Sequence, residues 1–290
     1  MEISSDLVGM DLAGLERKVT WRKTMNYAAA VGDANVRYLD DRLDSGVVAP
    51  PMFAVALTWP IMERIQDQLG GSLDPGVIAT MVHATEHLVF SRPVRPGDRL
   101  QIRGRVAAVL PSKAGTRIVL RLDATDAGGE PVFTEYSGAV FRGVACSGDG
   151  RGSENLPELP TWDEIDSPLW EVEIPVSREA AHVYDGCTDI VFPIHTSTAF
   201  ALGVGLPDIL LQGTATLAMA ARELLDREAG GAPERMREIA CRFTGMVIPG
   251  SSIRIQLLRR EALEEGTGLA FRVLNEEGDP ALRYGFVRLD

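Results

Sequence analysis

Two stretches of this sequence repeat each other at a distance of about half its length. Residues 95–102 (RPGDRLQI) resemble residues 248–255 (IPGSSIRI), since in each a Pro-Gly turn leads into an alternating strand. Residues 129–132 (GEPV) resemble residues 278–281 (GDPA), each in a hairpin turn before a final strand. The offsets, 153 and 149 residues, keep both order and spacing. The repeat predicts a duplicated domain.

A stretch without hydrophobic periodicity divides the chain almost in half. Residues 146–166 (CSGDGRGSENLPELPTWDEID) are rich in Gly, Ser, Pro and acidic residues, which is typical of a linker. The 290 residues are enough for two domains of ordinary size. We therefore expect an N-terminal domain over 1–145 and a C-terminal domain over 167–290.

Both halves show the same order of predicted elements. A short helical stretch containing Tyr27 or Tyr184 precedes a longer apolar helix, 52–69 or 213–228, and both apolar helices should be largely buried. Four strands follow in each half, at 78–90, 99–110, 117–124 and 132–142, and at 238–246, 252–260, 268–274 and 281–289. This order predicts an α+β fold in which a curled antiparallel sheet wraps a helix.

Charge and composition exclude several classes of partner. The net charge of −12 argues against binding to nucleic acid or to anionic lipid, because both need clustered Lys and Arg. Residues 1–6 (MEISSD) lack the apolar core of a signal peptide, and no apolar run is long enough to span a membrane. Cys146, Cys187 and Cys241 are odd in number and lack metal-ligand spacing, so we expect a cytoplasmic protein without metal or redox cofactor.

Several motifs, in order along the chain, resemble those of one superfamily. Residues 27–35 (YAAAVGDAN), 38–40 (YLD), 48–53 (VAPPMF) and 91–98 (SRPVRPGD) resemble the N-terminal hot-dog domain of MaoC-like hydratases and dehydratases. Residues 193–196 (PIHT), 205–209 (GLPDI) and 213–218 (GTATLA) resemble the catalytic hot-dog domain of that superfamily. The resemblance implies a double hot-dog fold. It also implies R-specific hydration of a trans-2-enoyl thioester of CoA or acyl-carrier protein, or the reverse dehydration.

Such a reaction needs a base, an acid and hydrogen-bond donors for the thioester oxygen as it becomes enolate-like. The family supplies an Asp and a His in the order Asp-x-Asn-Pro-x-His, and a backbone N–H at the start of the central helix. His195 matches the family His, and Gly213 matches the glycine at the helix start. With an ordinary pKa near ~6.5, His195 could act as acid or base at neutral pH.

Other positions depart from the family pattern. Ile190 and Phe192 stand where the resemblance places the Asp and the Asn, and Gln212 replaces the His before the helix glycine. Asp189, one residue before the expected carboxylate, is a candidate replacement acid. Gln212 keeps the ability to hydrogen-bond an oxygen but cannot carry a proton back and forth. Ile190, Phe192, Gln212 and Tyr184 complete the predicted substrate-binding set around Gly213.

The N-terminal half shows the opposite loss. Asp33 and Asn35 fit the family pattern, but Tyr38 stands at the His position and residues 50–51 (PP) replace His-Gly. The resemblance implies that this half holds the acyl tail and leaves catalysis to the other. Asp33 is therefore interpreted as structural, although whether it or Asp189 replaces the missing carboxylate stays open.

The remaining histidines have ordinary interpretations. His83 and His87 lie in a strand pattern, and His182 precedes the predicted catalytic loop. Each position favours a core or strand-face role.

Three functions remain open at this stage. The first is a hydro-lyase acting on an acyl thioester or a similarly activated carbonyl through His195. The second is a cyclase or specialised dehydratase acting on a polyketide-like substrate of natural product biosynthesis, because Ile190 and Phe192 make the cleft more apolar. The third is a non-catalytic acyl-binding partner subunit. A homodimer is compatible with each of them.

Overall fold

The computed structural model describes residues 2–69, 77, 80–158, 162 and 167–290. Within them, ten strands form one continuous sheet and two short strands, β1 and β7, form a parallel pair. The strands are β1 (Glu2–Ser4), β2 (Asp11–Lys18), β3 (Met81–Phe90), β4 (Arg99–Ser112), β5 (Gly115–Thr125), β6 (Pro131–Arg142), β7 (Ala145–Ser147), β8 (Trp170–Pro175), β9 (Met236–Phe243), β10 (Ser252–Ala262), β11 (Thr267–Leu274) and β12 (Pro280–Leu289).

The large sheet consists of two halves with the same strand order. The strand order is β2-β4-β5-β6-β3 in the N-terminal half and β9-β12-β11-β10-β8 in the C-terminal half. The two strands at the centre are β3 and β9, and each is the first strand after the long helical segment of its half. The halves meet where β3 and β9 pair antiparallel, from Thr85 opposite Arg242 to Val89 opposite Glu238. Across this junction a ring nitrogen of His87 hydrogen-bonds Glu238 at 2.7 Å. The duplication predicted from the repeat is therefore visible in the sheet.

Helices pack against the sheet in both halves. They are α1 (Trp21–Ala30), α2 (Val36–Leu39), α3 (Ala54–Glu63), α4 (Ile65–Gln68), α5 (Ala180–Thr188), α6 (Thr198–Gly203) and α7 (Gly213–Glu228). The side chains of α7 are buried along most of its length. None of these described helices is long and apolar enough to cross a membrane. The predicted α+β class is confirmed.

The repeated glycines share one backbone conformation. Gly97 and Gly250 have φ values of 98° and 95°, and Gly129 and Gly278 have values of 86° and 88°. This left-handed region disfavours residues with a Cβ atom. The turns in the repeat therefore keep glycine for a conformational reason.

Two predicted elements of the repeat unit are shorter than expected. The helix predicted over 52–69 is divided, because Pro60 removes a backbone donor inside α3 and Arg64 leaves helical geometry before α4. The strand predicted over 238–246 ends at Phe243, because Thr244 and Gly245 turn to donate their N–H groups to the Ala281 carbonyl oxygen. Residues 78 and 79, the start of the strand predicted over 78–90, lie outside the described residues.

The two edge strands, β2 and β8, were not predicted. Leu12 is the only β2 residue that is fully buried, so the strand lacks the apolar alternation that marks a half-buried strand. In β8 the alternation is present over six residues but includes Glu171 and Glu173. Both strands cover sheet edges, which is where polar and charged strands are tolerated.

The first part of the predicted linker packs on the N-terminal half. Strand β7 pairs in parallel with β1, and Arg151 forms a bridge with Val109 of β4. Residues 159–161 and 163–166 of the linker lie outside the described residues. We propose that the domain boundary falls within 146–166, and the separate strand sets of the two halves support this.

Candidate active site

A cavity of about 480 Å³ lies between the two halves. The helix α3 and the strands β3 and β6 form one wall, and the segment before α7 and the chain around the end of β9 form the other. Its size is in the range of small-molecule sites. The polar side chains that line it are His83, Glu86, Glu135, Ser137, Arg142, His195, Gln212, Thr214, Thr216 and Thr244.

His195 lies at the end of a short 3-10 turn, Pro193–His195, on the cavity wall. Its Nδ1 atom lies 2.8 Å from the Leu210 carbonyl oxygen, which can only accept, so Nδ1 carries the proton. The turn is fixed to the same segment because Leu210 N–H donates to the Ile194 carbonyl oxygen at 3.1 Å. Burial lowers the pKa of His195. The imidazole is therefore neutral at pH 7, with Nε2 available as a base.

The N-terminus of α7 supplies unpaired backbone donors. Ala215 and Thr216 donate to the Gln212 carbonyl oxygen. For Gly213 and Thr214, both of which line the cavity, no N–H acceptor occurs within the described parts of the chain. The first amides of a helix favour a developing negative charge. These two are suited to bind an enolate-like oxygen.

Gly213 has a packing role as well. A Cβ atom at this position would lie 2.8 Å from the ring of Phe243, closer than real contacts allow. The ring thus approaches the helix terminus directly. Both interpretations of Gly213, small residue and amide donor, fit the structure.

Gln212 has its amide fixed by the backbone. Its Nε2 group donates to the Ala181 carbonyl oxygen at 3.1 Å, and its Oε1 atom takes no part in this hydrogen bond. This Oε1 atom is buried and has no hydrogen-bond partner in the described structure. Gln212 therefore presents an acceptor near the cavity, for a water or a substrate hydroxyl.

Among the other predicted site residues, Ile190 and Phe192 line the cavity and Tyr184 and Asp189 do not. The Tyr184 hydroxyl donates to Thr214 Oγ1 at 3.1 Å, so it supports the lining from behind. Asp189 ends α5 with a left-handed backbone (φ 59°), and its side chain is 60% exposed and paired with Lys23. The Asp189 carboxylate therefore lies toward solvent and outside the cavity.

In the N-terminal half, the place that corresponds to the His195 site is filled by side chains. The space beside Asp33 and Tyr38 amounts to about 10 Å³, and Tyr38 is 1% exposed. Arg222 from α7 closes it by donating to the carbonyl oxygens of Val31 and Gly32. Asp33 accepts the Asn35 N–H at 3.0 Å and does not reach the large cavity. Its carboxylate is therefore part of a local turn.

The sequence interpretation missed a polar cluster on the opposite cavity wall. His83 and Glu86 on β3 face Glu135 and Ser137 on β6. His83 Nε2 lies 3.2 Å from both Glu86 Oε2 and Ser137 Oγ, and 3.1 Å from the Thr85 carbonyl oxygen. The signal in the sequence was a carboxylate at an inward position of each strand, Glu86 and Glu135, where apolar residues are usual.

The two carboxyl groups of this cluster are buried together. Glu86 is 1% and Glu135 2% exposed, and their side chains hydrogen-bond each other. Thr58 Oγ1 donates to Glu135 Oε2 at 2.6 Å. Burial raises the pKa of Glu86 to about 8 and that of Glu135 well above its usual range. At least one proton therefore stays on the pair at neutral pH.

Burial has the opposite effect on the histidine of the cluster. It lowers the pKa of His83 to about 4, because the charged form of an imidazole is the form that desolvation disfavours. Its ring packs on Phe243 at a centroid distance of 4.5 Å, and Phe243 is the residue that contacts Gly213. The cavity therefore contains two neutral imidazoles and a protonated carboxyl pair.

Family comparison accounts for most of the chain. Residues 164–271 match the family model of the MaoC like domain, and residues 6–135 match that of the FAS1-like dehydratase domain region. The chain belongs to the MaoC-like dehydratase family. The 3-hydroxyacyl-thioester dehydratase Y of Mycobacterium tuberculosis is 27% identical to this MaoC-like chain over 196 residues, which are 66% of this chain and 65% of that protein. The chain thus spans just under two thirds of that relative.

Solved structures confirm the fold. A MaoC-like dehydratase from Phytophthora capsici superimposes with a TM-score of 0.85 at 21% identity, over 98% of this chain and 96% of that one. A protein of Mycobacterium tuberculosis described as having a double hot-dog fold superimposes with a TM-score of 0.62 at 16% identity, over 96% of both chains. This MaoC-like chain therefore has the predicted double hot-dog fold.

Proposed function

We propose that the protein dehydrates 3-hydroxyacyl thioesters, and hydrates 2-enoyl thioesters in reverse, with His195 as the base and the α7 amides as the oxyanion donors. The observation that carries the proposal is the neutral His195 imidazole in the cavity that Gly213 and Thr214 line. Its Nδ1 atom is fixed on Leu210, and its Nε2 atom makes no hydrogen bond with the residues that the structure describes. Membership of a dehydratase family supports the same reaction class.

The chemistry follows from these groups. In dehydration, His195 Nε2 removes the proton from Cα of the thioester, and the electron pair moves toward the carbonyl oxygen. The amides of Gly213 and Thr214 stabilise this enolate-like oxygen because their dipoles are already oriented. The pair then forms the double bond as the C3–O bond breaks, and the departing hydroxyl takes a proton from an acid group of the site to leave as water. The relative from Mycobacterium tuberculosis is named a 3-hydroxyacyl-thioester dehydratase, and the structure from Phytophthora capsici is that of a MaoC-like dehydratase. These similarities favour a hydro-lyase over a cyclase or a non-catalytic acyl-binding subunit.

The direct test is turnover by the purified chain. We expect it to hydrate crotonyl-CoA or longer trans-2-enoyl-CoA substrates and to dehydrate the matching (3R)-hydroxyacyl-CoA, measured by absorbance of the conjugated thioester. Carrier-protein thioesters should be included, because both carriers present the same thioester to the cavity. If the chain turns over no thioester in either direction, the proposal is wrong.

The pH dependence of kcat/KM should report the protonation of His195. Because burial lowers the pKa of His195, the base stays unprotonated to lower pH than a free imidazole does. We expect kcat/KM for dehydration to rise with pH and reach half its plateau below about 6.5. An acidic limb with a midpoint above that value would contradict the assignment. His182→Gln, at an exposed histidine outside the cavity, should leave the limb unchanged.

The apolar wall of the N-terminal half should set the acyl chain length. Val55, Trp59 and Met62 of α3 line the cavity, and Val55 is 4% exposed. We expect Val55→Trp to lower kcat/KM for a long-chain enoyl-CoA by about tenfold or more, with a smaller effect on crotonyl-CoA, at a stability cost of about 1–3 kcal/mol. Equal losses on both substrates would place the acyl chain elsewhere. Val36→Trp, on an exposed residue of α2 outside the cavity, is the matched control and should change neither activity.

A further inference from the structure

We propose that His83, together with Glu86 and Glu135, is the second proton-transfer group of this site and protonates the departing 3-hydroxyl from the wall opposite His195. The inference rests on the proposed dehydratase function. It assigns the acid that the loss of the Asp at position 190 leaves open. The cluster belongs to β3 and β6 of the half that the sequence interpretation treated as non-catalytic.

Exposure decides which member touches substrate. The His83 side chain is 35% exposed, whereas that of Glu86 is 1% exposed. Both residues line the cavity, but a substrate oxygen reaches the imidazole first. His83 is therefore the catalytic member, and the two carboxyls are positioning and proton-holding residues behind it.

The surroundings of Nε2 provide partners for either neutral tautomer of His83. When Nε2 carries the proton, it donates to the Thr85 carbonyl oxygen at 3.1 Å. When Nε2 is unprotonated, it accepts from Ser137 Oγ or from the protonated Glu86 carboxyl, each at 3.2 Å. For Nδ1, no hydrogen bond occurs with any residue that the structure describes. That atom is left for the substrate.

The carboxyl pair supplies the proton. Glu86 and Glu135 hydrogen-bond each other, and burial raises both of their pKa values, so each holds a proton at neutral pH. Thr58 donates a further hydrogen bond to Glu135. The raised pKa values of the pair and the lowered pKa of His83 keep the proton on the carboxyls in the resting state. The resting site thus holds a base at His195 and an acid behind His83, which is the separation that elimination requires.

The elimination moves one proton at each wall of the cavity. His195 Nε2 takes the Cα proton, the C–H electron pair becomes the new double bond, and the C3–O bond breaks. The leaving oxygen takes the proton from His83 Nδ1 and departs as water, while the Glu86 proton moves to Nε2. The negative charge comes to rest on Glu86, where the Glu135 hydroxyl hydrogen-bonds it. Transfer of the proton from His195 through water to His83 Nδ1, with return of the Nε2 proton to Glu86, restores the resting site.

A substrate whose leaving group needs no proton separates this role from all others. We would compare (3R)-3-hydroxybutyryl-CoA with 3-chlorobutyryl-CoA for the wild type, His83→Gln, Glu86→Gln and His195→Gln. Chloride leaves unprotonated, but its elimination still needs the base and the oxyanion donors. The control is Glu130→Gln, the same chemical change in an exposed hairpin of the N-terminal half. Urea unfolding of each variant monitors the fold.

We expect His83→Gln and Glu86→Gln to lose about 10²–10⁴-fold in kcat on the hydroxy substrate, and less than about tenfold on the chloro substrate. His195→Gln should lose activity on both. For the wild type, kcat on the hydroxy substrate should fall above about pH 8, where the pair loses its proton, and this fall should be absent for the chloro substrate. Equal losses of the cluster variants on both substrates, or no loss on the hydroxy substrate, would overturn the inference while leaving the dehydratase function intact. An inactive wild type would overturn both.

Discussion

Replacing His195 by glutamine should lower kcat/KM for dehydration by about 10³-fold or more, because the base proposed for the Cα proton is lost. Glutamine keeps a hydrogen-bonding group near the Leu210 carbonyl oxygen, the partner of Nδ1 at 2.8 Å. The local structure should therefore survive. Thermal melting of the variant should stay close to that of the wild type.

A second readout separates the base from a merely structural role. His195→Gln should also abolish exchange of the Cα protons of butyryl-CoA in deuterated water, a reaction that needs the base and the oxyanion donors but has no leaving group. His182→Gln, which changes an exposed histidine of α5 outside the cavity, is the matched control and should retain both activities. A His195→Gln variant that exchanged these protons at the wild-type rate would show that the base lies elsewhere.

The second large effect concerns stability. Burial raises the pKa of Glu86 from 4.5 to about 8, so between these values the folded chain holds a proton that the unfolded chain has released. A carboxyl with a raised pKa therefore costs stability as pH rises through this window. His83, with a pKa lowered to about 4, opposes this trend below about pH 6.5, because there the unfolded chain binds a proton that the folded chain excludes. The carboxyl effect should stand alone from about pH 6.5 to 8.

Glu86→Gln should remove this cost. Glutamine has the same shape and does not ionise, so the variant should gain about 2 kcal/mol over the wild type as pH rises from about 6.5 to 8, at about 1.4 kcal/mol per pH unit for one proton. Urea unfolding of both proteins at the two pH values measures the difference, in which the other titrating groups cancel. Glu130→Gln should show no such gain. A difference between Glu86→Gln and wild type that did not change with pH would mean that Glu86 ionises normally.

The fold could be predicted because its signals are local. Each of these signals depends on residues that are neighbours in sequence: the Pro-Gly turns, the hydrophobic alternation and the apolar helix at Gly213–Glu228. The repeat at 95–102 and 248–255 showed that the same elements occur in two units of similar size. The edge strand β2 was missed because most of its residues face solvent, and β8 because its apolar alternation covers only six residues beside the predicted linker. The interruption at Arg64 follows Pro60, which lacks a backbone donor, and hydrophobic periodicity does not record that loss.

The site was predictable on one wall only. The loop that contains Ile190, Phe192 and His195 is close in sequence to Gly213, and all four residues line the cavity. One stretch of the sequence therefore supplies most of that wall. The wall with His83 and Glu86 comes from the other half, and its contact with the first depends on how β3 pairs with β9. The number of residues between β3 and β9 in the sequence does not indicate that these strands pair. The position of Asp189 outside the cavity was unpredictable for a related reason, since it depends on a left-handed backbone at φ 59°.

The antiparallel junction of β3 with β9 also restricts how the site can move. The walls of the cavity stand on strands joined by a backbone ladder from Thr85–Arg242 to Val89–Glu238, so a clamshell rotation of the two halves would break hydrogen bonds in the middle of the sheet. Gating must instead come from the segments that border the cavity outside the strands, residues 190–211 and 244–247. These fluctuate locally on faster timescales than domain rotation does. Admission of substrate should therefore depend on these segments. Because the first of them carries His195 while His83 lies on strand β3, closing the cavity would also set the distance between the two proton-transfer groups.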